Sequence, residues 1–399
     1  MSHHIDRRDF LRLSGAVGAV GAAAAGGATA VGAAPAAAAA ATGKGRPPSG
    51  LKLGCQSGPS NAQHFAFFAR YGVRNICGSP EIADPARLCP TVSELTQLRE
   101  LAGKYGISVD MTDSVLLHSS LVDKEPHPAI VLGDSPQRDR DIEAFQNLIR
   151  NCAQAGIPAV KYNMSILGVL RNLQVPGRGD VQYSGWDLSK VPADEPLTRA
   201  GVVDADTFWE RITYFLERVV PVANEYKIRI ACHPQDPGVP ASGYRGVNRV
   251  LGTVDGLKRF VAIHESPYHG LNFCQGTISE DLADPGKEIF DVIRYFGSRR
   301  KIFNVHFRNI RGHRDQFVET FPDEGDVNML QAALTYREVG YEGMLMTDHV
   351  PLVRIRLDNG EYAPYYFNEE SSAANGHLES FAFGYGYIRA IIQAVERYG

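Results

Sequence analysis

Eight short apolar or β-branched runs, each ending in polar residues, recur along the chain: Leu51–Ser57, Val73–Gly78, Ile107–Ser114, Ala159–Ser165, Ile228–Pro234, Gly270–Gly276, Ile302–Asn309 and Gly343–His349. Runs of this length and composition predict strands. Between them, apolar residues recur at helical spacing. Leu95, Leu98 and Leu101 mark Thr91–Tyr105, Phe145, Leu148 and Ile149 mark Asp141–Ala155, and Phe208, Ile212, Phe215 and Val219 mark Asp206–Tyr226. The pairs Tyr105-Gly106, Ala155-Gly156 and Val339-Gly340 stand just before strands, where a glycine closes a helix and starts a short loop. Eightfold alternation of strand and helix predicts an α/β fold, one (β/α)8 TIM barrel over residues 49–399. An open doubly wound sheet is the alternative, and the lack of a glycine-rich phosphate loop after the first strand counts against it.

Residues 1–48 follow a different pattern. Arg7 and Arg8 precede the apolar pair Phe10-Leu11, and an uncharged Ala/Gly/Val run follows from Gly15 to Ala41. This is the layout of a twin-arginine export signal with an Ala-rich linker. Ala and Gly contribute little transfer energy per residue, so a cleavable segment is expected, with no stable membrane span after cleavage and a periplasmic or extracellular product. The twin-arginine route carries folded proteins, which fits a cofactor inserted before export.

A net charge of -4, with no block of Lys or Arg beyond the signal, argues against a nucleic-acid partner. Six cysteines in 399 residues are too few for a disulfide scaffold.

In a barrel of this kind, functional side chains sit at the C-terminal ends of the strands. The fifth to eighth runs end in Cys232-His233-Pro234, Phe273-Cys274-Gln275, Val305-His306-Phe307-Arg308 and Thr347-Asp348-His349. Strand periodicity puts His233 on one face with Ala231, Cys274 with Asn272, and His306 with Arg308, while Cys232 points the other way. His233, Cys274, His306 and Asp348 are therefore the predicted ligands of a divalent metal. Two imidazoles, a thiolate and a carboxylate bind such a cation and can leave positions open for substrate oxygens.

At these residues the chain resembles the mannonate dehydratase family, barrel enzymes related in architecture to xylose isomerase. The resemblance rests on Leu132-Gly133-Asp134 with the helix that follows, Lys161-Tyr162-Asn163-Met164, His233-Pro234-Gln235-Asp236-Pro237, Gly246-Val247-Asn248-Arg249-Val250, Ser266 to Gly276, Val305 to Asn309, Gly325 to Met329 and Asp348-His349, in the family's order over roughly residues 105 to 350. It implies a Mn²⁺ or Fe²⁺ hydro-lyase that converts D-mannonate to 2-keto-3-deoxy-D-gluconate, with the same four ligands. The chain departs from the family pattern at Gln235-Asp236, at Thr347-Asp348-His349-Val350 and in the first strand, which lacks the usual Arg-Trp. These departures bear on the substrate more than on the metal.

Dehydration of a sugar acid needs one group to take the proton α to the carboxylate and another to protonate the departing hydroxyl. His349 is the first candidate, because imidazole titrates near neutral pH, and Tyr162 the second. Arg308 is a candidate clamp for the substrate carboxylate, unless it pairs with a structural acid such as Glu319 or Asp326. Asn163 and His118 are placed to contact hydroxyls. Lys161 would fit a Schiff-base aldolase, but a metal and a Schiff-base lysine are alternative solutions to one carbanion problem. The long connections 170–205 and 351–377, the latter with Tyr362, Tyr365, Tyr366 and Phe367, are candidates for a lid or for contacts in a homo-oligomer. The alternative function is a xylose-isomerase-like isomerase or epimerase of sugars, using the same metal to stabilise an ene-diolate without loss of water.

Overall fold

The computed structural model describes residues 49–56, 60–192, 194–353 and 378–398. The twin-arginine segment, the alanine-rich run and the aromatic stretch from Tyr362 to Phe367 lie outside these residues.

All eight predicted runs form strands, most of them shortened and β8 begun one residue earlier: β1 (Lys52–Cys55), β2 (Asn75–Gly78), β3 (Ser108–Asp113), β4 (Ala159–Asn163), β7 (Arg229–His233), β8 (His269–Cys274), β9 (Ile302–His306) and β12 (Met344–Met346). They close into a parallel barrel in the order β1-β12-β9-β8-β7-β4-β3-β2. Closure between β1 and β12 is tight at Gly54, where an added Cβ would stand 2.6 Å from the Cβ of Met344.

Helices cover the outside. The helix Val92–Gly103 starts with a capping box between Thr91 and Glu94, and Gln137–Ala155 ends on Gly156 in the left-handed conformation. Gly106 and Gly340 also adopt positive φ at 66° and 71°, as the glycine pairs predict. Alternate strand residues face these helices. Val160 and Tyr162 of β4 join a cluster with Phe145 and Phe215, each such fully buried side chain contributing roughly 1.5–3 kcal/mol.

The other set of strand positions fills the barrel interior: Cys77, Met111, Ala159, Ala231, Phe303, Met344 and Met346 form a separate buried cluster. On β9 the alternation is broken once. Leu271 pairs with Ile302 but Asn272 pairs with Asn304, so Phe303 is an extra residue opposite the β8 ladder. This bulge leaves Phe303 in the interior cluster and carries Asn304 and His306 inward above it, with Val305 against the outer core.

Four further strands were not foreseen. β5 (Leu173–Pro176) and β6 (Gln182–Asp187) arise in the connection after β4, and β10 (Ile310–His313) and β11 (Gln316–Glu319) in the one after β9. They form an antiparallel sheet in the order β10-β11-β6-β5, with a small core of Trp186, Ile310 and Phe317. The connection 170–205, read as a lid or subunit contact, is thus partly this sheet. Among the described residues, no helix is long and apolar enough to cross a membrane.

Candidate functional site

Neighbouring strands deliver the predicted ligands to one point. His233, Cys274 and His306 end β7, β8 and β9, and Asp348 lies two residues beyond β12. One donor atom from each lies within 4.8 Å of the others. Cys274 Sγ is 3.5 Å from Asp348 Oδ2, His306 Nδ1 is 3.3 Å from Asp348 Oδ1, and the two imidazole centroids are 5.0 Å apart.

The donors are in states that suit a cation. Burial lowers the pKa of His233 to about 4, so its ring is neutral at physiological pH. Its Nδ1 lies 2.6 Å from the carbonyl oxygen of Pro234, an acceptor, which assigns the proton to Nδ1 and leaves the Nε2 lone pair for a ligand. His306 Nε2 is engaged by Gln56 Oε1 at 2.9 Å and Asn272 Nδ2 at 3.2 Å, whereas its buried Nδ1 has no hydrogen bond of good geometry. Burial would raise the Asp348 pKa, but His306, His349 and Arg308 hold it well below the ordinary carboxylate value. An orphaned imidazole nitrogen beside a thiol and an ionised carboxylate fits a divalent metal.

Arg308 is not available as a substrate clamp. Its side chain is 1% exposed, and it reaches Glu280 Oε1 at 2.8 Å, Glu319 Oε1 at 2.6 Å, Asp236 Oδ2 at 2.9 Å and Asp348 Oδ2 at 3.2 Å. Gly276 leaves the room it occupies, since a Cβ there would stand 2.4 Å from Arg308 Nε. Pairing with the structural acid Glu319, the alternative raised by the sequence, is what occurs. Arg171 joins the network through Asp236 at 2.6 Å and Glu319 at 2.5 Å. Both Arg171 and Glu319 come from the antiparallel sheet and its approach, so the added sheet is tied by charge to the barrel's C-terminal end.

His349 lines the same pocket as His233, His306 and Asp348. Its Nδ1 lies 2.6 Å from Glu319 Oε1. Burial alone would depress its pKa, but the carboxylates of Asp348 and Glu319 outweigh this and raise it to about 9. Asn163 also lines the pocket, as does Lys161, whose ammonium is 3.3 Å from Asp113 Oδ1.

Two candidates fall elsewhere. Tyr162 faces the helices, its ring 5.4 Å from Phe145 and 5.5 Å from Phe215, because it alternates with the inward-facing Lys161 and Asn163. Burial pushes its hydroxyl well above the usual pKa, which removes it further from proton transfer. His118 is half exposed and 4.0 Å from Glu125, and its neighbour Ser119 lines the pocket instead. Sequence reasoning missed Gln56, Arg171 and the clamp on His349. The interior position of Gln56 could have been found from the alternation of Leu53 and Cys55 on β1. No local signal marks Arg171.

The family description that matches is D-mannonate dehydratase (UxuA), over residues 180–396. Relatives include a mannonate dehydratase of Thermotoga petrophila, 29% identical over an alignment covering 82% of this chain and 92% of that one. Mannonate dehydratase 2 of Halalkalibacterium halodurans is also 29% identical, over 64% of this chain and 77% of its own. Among solved structures, the mannonate dehydratase of Streptococcus suis serotype 2 superposes with a TM-score of 0.70 at 21% identity, covering 87% of this chain and 94% of its own, which speaks for the barrel fold. With more than half of its residues matched, the chain belongs to the D-mannonate dehydratase family of metal-dependent hydro-lyases.

Proposed function

We propose that this protein removes water from D-mannonate to give 2-keto-3-deoxy-D-gluconate, with Mn²⁺ or Fe²⁺ held by His233, Cys274, His306 and Asp348. The observation that carries this reading is the convergence of those four donors beside His349, whose Nδ1 is held by Glu319.

When bound, the cation supplies Lewis acidity that lowers the cost of negative charge next to the substrate carboxylate. The chain's own residues do the rest. With Nδ1 directed at Glu319, His349 presents Nε2–H to the pocket as proton donor to the hydroxyl that leaves. Arg308, saturated by carboxylates, orients Asp348 and Glu319 and carries no substrate. Asn163 offers an amide to a substrate hydroxyl. Residues 1–48 are read as an export address, so the metal would be loaded before passage of the folded protein across the membrane.

The test is incubation of the Mn²⁺-loaded protein with D-mannonate and a panel of aldonates and aldoses in D2O, followed by mass and NMR. The expected product is a keto-deoxy acid lighter by one water, formed neither after chelation nor by Cys274→Ser or His306→Ala. Deuterium incorporation without loss of water would overturn the dehydratase reading in favour of isomerisation.

A further inference from the structure

Among the described residues, Lys161 is the pocket-facing cation that the assignments above leave without a task. It belongs to the inward set of β4, between Ala159 below and Asn163 above, and is 8% exposed while lining the pocket of His233, His306 and Asp348. Its sole ion partner among the described residues is Asp113, which stands directly opposite on β3. Asp113 is itself fixed by Ser79 Oγ at 3.1 Å and Cys77 Sγ at 3.5 Å. An ammonium has three donor hydrogens, and one carboxylate at this distance leaves donors free towards the cavity. Burial would lower its pKa, but Asp113, with Cys77 and Asp348, raises it, so Lys161 is a donor and not an amine nucleophile.

Charge balance bears on what such a donor can do. A thiolate and a carboxylate with two neutral imidazoles would cancel a divalent cation, so the positive groups left facing the pocket are His349, held by Glu319, and Lys161, held by Asp113. A neutral sugar needs neither. A sugar acid brings a further negative charge into a region shielded from water, where an unmatched charge is costly. We propose that Lys161, held in place by Asp113, is the anchor for the substrate's carboxylate and the residue that selects sugar acids over neutral sugars. This rests on the dehydratase reading above. The competing account is that Lys161 and Asp113 are an ion pair that only fills the barrel interior.

The two accounts separate on binding. The probes are 3-deoxy-D-arabino-hexonate, which lacks the leaving hydroxyl, and the matching 3-deoxyhexitol, which also lacks the charge. Both are titrated calorimetrically into the Mn²⁺ holoenzyme of the wild type and of Lys161→Met. Loss of one charge-assisted hydrogen bond is expected to weaken the hexonate about 10- to 100-fold. Affinity for the hexitol and the bound Mn²⁺ should stay within about twofold of wild type, and Lys161→Arg should recover part of the loss. Equal losses for the two probes, a loss for the hexonate below about threefold, or no hexonate binding by the wild type would each overturn the proposal. Should Lys161→Met fail to fold, Lys161→Gln replaces it with the same expectations. A wild type that binds the hexonate through Lys161 yet leaves D-mannonate unconverted would refute the proposed reaction and leave this inference standing.

Discussion

Glu319, at the end of β11, links the added sheet to the barrel site, and Glu319→Gln isolates its charge with little change of shape. The carboxylate is 10% exposed and is approached by Arg308 at 2.6 Å, Arg171 at 2.5 Å and His349 at 2.6 Å. Burial alone would raise its pKa, yet these partners hold it at about 2. Glutamine keeps one acceptor but turns an amide towards two buried guanidiniums. Breaking a buried ion pair from one side costs about 3–5 kcal/mol. With an unfolding entropy of about 2.1 cal/mol/K per residue, the barrel of residues 49–399 loses about 1.4 °C per kcal/mol, so the melting temperature should fall by about 4–7 °C. The loss should also depend on pH in the metal-free protein. His349 has its folded pKa raised to about 9 from an ordinary value of 6.5, so its contribution is fully present below pH 6.5 and disappears as pH rises through 9. The gap between wild type and variant should therefore narrow over that interval. Because His349 keeps 40% of its side chain exposed, solvent screens its pair, and the narrowing should be small beside the pH-independent guanidinium part. Calorimetry of the chelator-treated proteins from pH 6 to 9.5 measures both. A melting temperature within 1 °C of wild type throughout would refute the view that this network holds the sheet to the barrel.

Two further outcomes follow from the placement of other residues. Tyr162→Phe should keep kcat and KM within about twofold, since the ring packs under the helices and its hydroxyl has no route to the pocket; a loss of activity above tenfold without loss of stability would restore it as a candidate. Replacing Arg7 and Arg8 together by lysine should retain the folded protein in the cytoplasm, as read by cell fractionation, and unchanged export would rule out the twin-arginine reading.

The barrel was legible because each strand needs only a short β-branched run and each helix a repeating apolar stripe, and both patterns survive in a single sequence. The four-donor cluster was legible because functional side chains in such a fold gather at strand ends, and His233 and Cys274 obey simple alternation. The same rule, applied to β4, excludes Tyr162 by setting it out of phase with Lys161 and Asn163. The antiparallel sheet escaped because its strands are four to six residues long and come from two distant connections, so no segment carries the pattern alone. The role of Arg308 was open for a related reason: an arginine on an inward face reads equally as a clamp or as a tie, and the choice depends on Asp236, Glu280 and Glu319, far apart in sequence.

Beyond the extra residue at Phe303, the spacing along β9 is as binding as the choice of side chains. A surface loop can gain or lose a residue at little cost, because no alternation has to be preserved there. Removing Phe303 itself would restore regular pairing with β8 and leave Asn304 and His306 inward, whereas removing Val305 would turn His306 towards the helices. Every residue type needed for metal binding would still be encoded, yet one donor would be lost. For this strand, where a residue is gained or lost matters more than the total length.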